Sequence, residues 1–282
     1  MATHTTKTVI LGGRGMLGSD LARACRQRGL EPAVLDLPEC DITNSEHLQQ
    51  AVSGAGLIIN CAAYTNVDGA ESEAELAYRV NAEAVGRLGT LAQHADIWVL
   101  HVSTDFIFDG RGDKPYVETD RPNPISTYGR SKLEGEQLLA DSGCRHCILR
   151  VEWTYGAAGE NFVTKLMRRA KAEGTLRVVD DQVGSPTATI EVSGAICELL
   201  KNRPEGLFHF AGAGYVSRYE MARFIVDQLS LDVEVVPCKT SDFQSPAARP
   251  LNSRFDCGKI QRLLSEPIEA WQVPLERFLR QL

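Results

Sequence analysis

No stretch of this 282-residue chain stays apolar for the ~20 residues a membrane-spanning helix needs. A basic surplus is also missing. Thirty Lys and Arg against 37 Asp and Glu leave a net charge of −7, which argues against a general binder of nucleic acid or anionic membrane, since either needs a cationic footprint. Internal repeats and low-complexity segments are absent, which excludes solenoids and biased linkers. The opening segment, up to Gly13, holds one lysine and a short apolar run that ends in glycines. It does not read as a signal peptide, and the chain is expected to stay in the cytoplasm. Eight cysteines are present, but only Cys144 and Cys147 are close-spaced. Neither a second pair nor a nearby His pair completes a zinc site. Cys147 opens an apolar run rather than a helix, so the cysteines are read as reduced and structural, and no metal site is assigned.

What remains is an ordinary globular composition, 43% hydrophobic and 24% charged, which excludes wholesale disorder. Short apolar runs at Thr8–Leu11, Pro32–Asp36, Leu57–Asn60, Trp98–Ser103 and Cys147–Arg150 read as strands bounded by turn residues. Strands apolar on consecutive positions suit a parallel sheet covered on both faces. Between them Met16–Arg28, Ser45–Val52, Ala70–His94 and Tyr128–Ala140 carry helical spacing. This alternation predicts an α/β, doubly wound Rossmann-type parallel sheet over residues 1–150, with ligand beyond the carboxyl ends of the strands. Residues 151–282 predict a smaller C-terminal substrate-binding lobe, with some segments returning to the first domain. Its expected helices are Glu160–Ala172, Glu191–Lys201, Arg218–Gln228 and Pro274–Gln281. Arg177–Val179 and Leu207–Phe210 are its expected strands, and prolines including Pro237 punctuate its loops.

Gly12-Gly13-Arg14-Gly15-Met16-Leu17-Gly18 follows the first strand and opens the first helix. Gly12 and Gly15 permit a tight turn and close approach of backbone to a pyrophosphate. The helix N-terminus adds a favourable dipole, and Gly18 lets helix and strand pack closely. A dinucleotide site is expected. Asp36, at the end of the second strand, is placed to accept hydrogen bonds from a ribose diol. Arg14 suits a 2′-phosphate that Asp36 would repel, so NADPH and NADH are both compatible with this loop.

Tyr128 and Lys132 stand four residues apart, one helical turn, on a common face. A phenol is a poor proton carrier at neutral pH, with its pKa near ~10. An ammonium ~4 Å away, at an effective dielectric near ~20, would favour the phenolate by up to ~4 kcal/mol. Thr104 follows the fourth strand, where its hydroxyl can hold a substrate carbonyl oxygen while Tyr128 protonates it.

The chain resembles the extended short-chain dehydrogenase/reductase family over nearly its whole length. Within that family it resembles the reductases of 4-keto-6-deoxy sugars carried on nucleoside diphosphates. The likeness rests on the segments Asn60–Glu71, Ser103–Gly110, Glu118–Asp120, Asp181–Thr187 and Ala248–Ser253. It implies Tyr128, Lys132 and Thr104 as the catalytic trio and NADPH or NADH as cofactor. It places Gly15, Met16 and Leu17 at the pyrophosphate and Asp36, Asp41 and Ile42 at the adenosine end. Ala62, Ala63, Tyr64 and Thr65 would line the cofactor channel, and Tyr128 and Lys132 would also touch the nicotinamide ribose. Thr104, Asp105 and Trp153 would face a nucleotide-sugar substrate, the indole covering the hexose ring. The segment Arg150-Val151-Glu152-Trp153 departs from the family's usual Arg-Thr-Ser/Ala-Trp, and Glu152 is expected beside the sugar, where it would alter hydroxyl preference. Some family members dimerise through magnesium held by glutamates. Glu191 lies near one such position, but the metal is not carried over, and a homodimer is compatible with the sequence. Two other readings stand beside the reductase: a nucleotide-sugar epimerase or dehydratase, which keeps its NAD bound, and a non-catalytic regulatory relative.

Overall fold

Val9 and Leu11 point into one layer of packed side chains and Ile10 into the other. Ile58 is divided in the same way from Leu57 and Ile59, and Val99 from Leu100. Successive strand residues face opposite sides of a sheet, so runs without polar alternation require helices on both faces. The protein supplies them. In the computed structural model, which describes residues 7–282, six parallel strands lie in the order β6-β5-β4-β3-β1-β2. They are β1 (Thr8–Leu11), β2 (Ala33–Leu35), β3 (Leu57–Asn60), β4 (Trp98–Thr104), β5 (His146–Val151) and β6 (Gly206–Phe210). Helices α1 (Met16–Gln27) and α6 (Thr189–Asn202) cover one face. On the other lie α2 (Ser45–Val52), α3 (Ala84–His94) and α4 (Thr127–Asp141). β2 and β3 flank β1 on opposite sides, so the loops after β1 and β3 diverge and leave a crevice at the carboxyl edge.

The lobe beyond the sheet has its own core, in which Val163 and Leu166 of α5 (Phe162–Ala172) and Met221, Ala222 and Ile225 of α7 (Arg218–Gln228) meet Leu275 of α8 (Gln272–Leu279). Thr175–Val179 pairs in parallel with Glu234–Cys238, a strand that the proline pattern hid. Pro237 sits inside it, tolerated because the two-stranded ribbon leaves each strand an unpaired edge. The boundary drawn at residue 150 runs through β5, and β6 returns from the later half of the chain to pair with it. Among the described residues no helix is long and apolar enough to cross a membrane.

One expected element changes form. The single helix expected over Ala70–His94 is three α-helical pieces, Gly69–Ser72, Ala74–Tyr78 and α3, with a π-helical segment at Arg79–Glu83. Glu73, at φ −117° and ψ 43°, breaks the first piece from the second. The π segment turns the fully buried Asn81 inward. Its Oδ1 accepts from the Tyr64 backbone N–H at 2.9 Å, and its Nδ2 donates to the Tyr64 carbonyl at 3.1 Å and to Ser131 Oγ at 3.1 Å. A local irregularity in the helix thus holds the loop after β3 in place, a common use of π-bulges.

Candidate active site

A cavity of about 620 Å³ fills the crevice. The glycine turn forms its floor. Gly12 has φ +67°, and a Cβ there would lie 2.5 Å from the Ala62 backbone nitrogen. A Cβ on Gly18 would lie 2.2 Å from the Gly12 carbonyl oxygen, so only glycines allow α1 to start this close to β1. Gly15 caps α1 without a side-chain hydrogen bond, and the first turn holds no acid. The unpaired N–H groups there face a cavity also lined by Met16 and Leu17, the arrangement that receives a diphosphate. Asp36, Asp41, Ile42, Ala62, Ala63 and Thr65 line the same cavity, as do Thr104, Asp105, Tyr128, Lys132 and Trp153.

Asp36 closes the turn, its Oδ2 accepting from the Arg14 N–H at 2.7 Å and its Oδ1 from the Leu37 N–H at 2.8 Å. The Arg14 guanidinium is held away on Glu39 Oε2 at 2.7 Å and on the Leu37 carbonyl at 3.0 Å. Tyr64 departs from its expected place. It does not line the cavity, and its hydroxyl donates to Glu73.

Tyr128 and Lys132 rise from α4, whose start is capped by Ser126 Oγ accepting from the Gly129 N–H at 3.1 Å. Both are buried. Burial pushes the Tyr128 phenol up to about 12, with Asp105 adding to the rise and a hydrogen bond with Thr104 opposing it. Lys132 has partners of its own. Its Nζ donates to the Val102 carbonyl at 2.8 Å and lies 3.3 Å from His101 Nε2. The Thr104 hydroxyl donates to Asp105 Oδ1 at 3.1 Å and accepts from the Phe106 N–H at 3.2 Å. Asp105 is itself buried, its carboxyl held above the usual range by desolvation while the Ser253 hydroxyl donates to its other oxygen.

Glu152 is also placed differently from expectation. It is buried away from both large cavities, with Oε2 accepting from the Ser185 N–H at 2.8 Å and Oε1 from the Phe255 N–H at 3.2 Å. Burial, with Asp105 nearby, holds its carboxyl well above the ordinary range. Glu152 therefore clamps two loops of the second lobe and lines neither cavity. Trp153, next in the chain, takes φ +46°, a strained left-handed conformation of the kind found at functional sites. Its indole is not an open apolar face, because the Arg218 guanidinium stacks on it at 3.5 Å. Glu191 pairs with Arg277 at 3.6 Å.

A second cavity of about 480 Å³ meets the first, and Phe106, Trp153 and Arg218 line both. Gln182, Thr240, Phe243 and Arg249 also line it. Arg218 is the main residue that the sequence reading missed. A lone arginine at a helix start carries no signal, although the segments holding Gln182 and Arg249 had already stood out. Among the described residues the Arg218 guanidinium makes no hydrogen bond to the protein. Burial pulls it down to about 9, partly offset by Asp105 and Glu152, so it remains a cation at neutral pH. Arg249 is tied to Asp68 Oδ2 at 2.7 Å.

The model of the RmlD substrate binding domain family matches residues 6–282. The chain is 37% identical over 285 residues to the dTDP-4-dehydrorhamnose reductase of Aggregatibacter actinomycetemcomitans, covering 96% of this chain and 97% of that protein. It is 35% identical to the enzyme of the same name from Mycolicibacterium smegmatis, covering 96% and 84%. A solved dTDP-4-dehydrorhamnose reductase of Bacillus anthracis in complex with NADP is similar with a TM-score of 0.94 at 33% identity, over 98% of this chain and 99% of that one.

Proposed function

This chain belongs to the RmlD substrate binding domain family, and from that premise we propose that it is a dTDP-4-dehydrorhamnose reductase. The reaction reduces the C4 keto group of dTDP-4-dehydro-6-deoxy-L-mannose to give dTDP-L-rhamnose for polysaccharide biosynthesis, at the expense of NADPH or NADH. One observation carries the reading. The Tyr128 and Thr104 hydroxyls stand in the cavity above the glycine turn, beside the junction where Phe106, Trp153 and Arg218 join it to the second cavity. A dinucleotide suits the first cavity and a sugar nucleotide the second, and the two would meet at the hydroxyl pair.

The uncapped first turn of α1 and the glycine approach fit a dinucleotide diphosphate. When bound, the reduced nicotinamide supplies the hydride. Tyr128 supplies the proton. Its high pKa keeps that proton in place at neutral pH, and the transfer remains favourable. An alkoxide oxygen forming at C4 is about as basic as hydroxide, whose conjugate acid has pKa ~15.7. That exceeds the value near 12 of the phenol, so the proton runs downhill. Thr104 would hold the oxygen by turning its hydrogen from Asp105 to the substrate. Arg218 and Arg249 would meet the sugar nucleotide's diphosphate, and Lys132 would bond the ribose. The cytoplasm is the compartment proposed for this reaction.

The assay is loss of reduced nicotinamide absorbance with dTDP-4-dehydro-L-rhamnose, one cofactor consumed per sugar. Tyr128→Phe is expected to lower kcat by ~10²–10⁴-fold while dinucleotide affinity holds. Turnover of a nucleotide sugar without net cofactor consumption would instead identify an epimerase or dehydratase. Cofactor binding without turnover would identify a regulatory relative.

A further inference from the structure

The segment Asp181–Thr187 stands out in the sequence, yet no step of the reduction uses it. Its Gln182 side chain is half-buried and lines the second cavity. The backbone there is fastened on both sides. The Gln182 carbonyl accepts from the Arg218 N–H at 3.1 Å, and the Val183 N–H donates to the Leu251 carbonyl at 2.7 Å. Val183 also pairs with Ser217 across a short antiparallel ribbon. The carboxamide therefore springs from a fixed point on the cavity wall.

Two neighbours settle which end of that carboxamide meets a ligand. The Thr240 N–H donates to Asp181 Oδ1 and Oδ2 at 3.0 and 2.9 Å, and the Thr240 hydroxyl donates to Oδ1 at 2.7 Å. A hydroxyl has one hydrogen, and a carboxylate holds it by the stronger, charge-assisted kind of bond. Toward Gln182 the Thr240 oxygen thus offers a lone pair, and the amide end it receives, at 3.1 Å, is the NH₂. The opposite orientation would set Oε1 against that lone pair or take the hydroxyl hydrogen away from the carboxylate. Nε2 gives one of its two hydrogens to Thr240, and among the described residues no donor meets Oε1. The wall accordingly carries one fixed acceptor with a spare donor next to it. Phe243 lines the same cavity with its ring 43% exposed. An open aromatic face and an acceptor–donor edge together suit a flat heterocyclic base.

We propose that Gln182 reads the base of the sugar nucleotide, and that Asp181 and Thr240 are positioning residues that hold its amide ready for a ring N–H beside a carbonyl. Among pyrimidines, thymine and uracil present that edge, with N3–H between two carbonyls. Cytosine carries a bare N3, and held in the same place it would turn a lone pair onto Oε1. The 5-methyl group lies off this edge, so thymine and uracil are read alike. The inference rests on the second cavity being the sugar-nucleotide site and deepens that reading by naming the class of base.

Calorimetric titration with dTDP, UDP and CDP tests it without turnover. The unaltered protein should bind dTDP and UDP within about threefold of each other and CDP roughly tenfold or more weakly. Thr240→Val keeps the branched shape but removes the hydroxyl, which frees the amide to turn. The gap between dTDP and CDP should then close to within about threefold. Gln182→Ala should close it too, by weakening dTDP and leaving CDP as it was. Equal affinity for dTDP and CDP in the unaltered protein would overturn the proposal. So would an undiminished gap in folded Gln182→Ala, and a gap that persists in folded Thr240→Val would remove the positioning role. If neither variant folds, the ranking by the unaltered protein decides alone. Failure of all three nucleotides to bind would sink the sugar-nucleotide reading together with this one. The expected ranking without turnover on any keto-sugar would sink the reductase reading alone.

Discussion

Replacing Arg218 with alanine separates the two cavities by their ligands. The side chain leaves the first residue of α7, and its guanidinium sits 3.5 Å over the Trp153 ring and 4.7 Å over that of Phe162. Burial has already stripped much of its water and lowered it to about 9. Much of the desolvation cost of binding an anion is therefore met within the folded protein. A hydrogen bond between this cation and a diphosphate oxygen contributes ~1.5–3 kcal/mol. Losing one such bond predicts a KM for the sugar nucleotide raised roughly 10- to 150-fold at ~1.4 kcal/mol per decade. Affinity for dTDP alone, measured by calorimetry, should fall by the same factor. Arg218→Lys keeps the charge but loses the planar fork and the stacking, and should recover only part of the loss. Thermal stability should change little, because alanine removes both the cation–π contacts and a costly buried charge. An unchanged KM for the sugar nucleotide would refute the reasoning, as would an equal rise in the KM for the dinucleotide.

Three further outcomes follow from the geometry. Gly18→Ala drives a Cβ to 2.2 Å from the Gly12 carbonyl oxygen, and should cost ~1–3 kcal/mol in urea unfolding and weaken dinucleotide binding in a fluorescence titration. Glu152→Gln sets an amide NH₂ against the Ser185 or Phe255 N–H, and should cost ~1–3 kcal/mol of stability. His209 is held neutral down to about 3 by burial and by Arg150, against an ordinary value of 6.5. Between those values the unfolded chain binds a proton that the folded one refuses, so stability falls as pH drops from about 6.5 toward 3. Urea midpoints across that window should flatten in His209→Gln, and an unchanged slope would refute the assignment.

The strands were legible because their signal is local: Leu57–Asn60 has the bounds expected of it, and β1 likewise. The broken helix before α3 was not, since an even spacing of Ala, Leu and Val looks the same whether or not a π turn interrupts it. What interrupts it is Asn81 finding partners on Tyr64 and Ser131, 17 and 50 residues away. The site shows the same division. The glycine turn announces itself because Gly12 and Gly18 answer to steric limits within a few residues. Tyr128 and Lys132 announce their common face, but not the direction in which the lysine's charge is spent.

By itself, then, the sequence determined the alternation of strand and helix, the glycine turn and the common face of Tyr128 and Lys132, all consequences of backbone geometry at short range. Only the tertiary structure decided that Lys132 answers to His101, that Glu152 clamps loops and that Arg218 stands between two cavities. Those outcomes depend on burial and on hydrogen-bond partners far away in the chain, and neither has a sequence spacing.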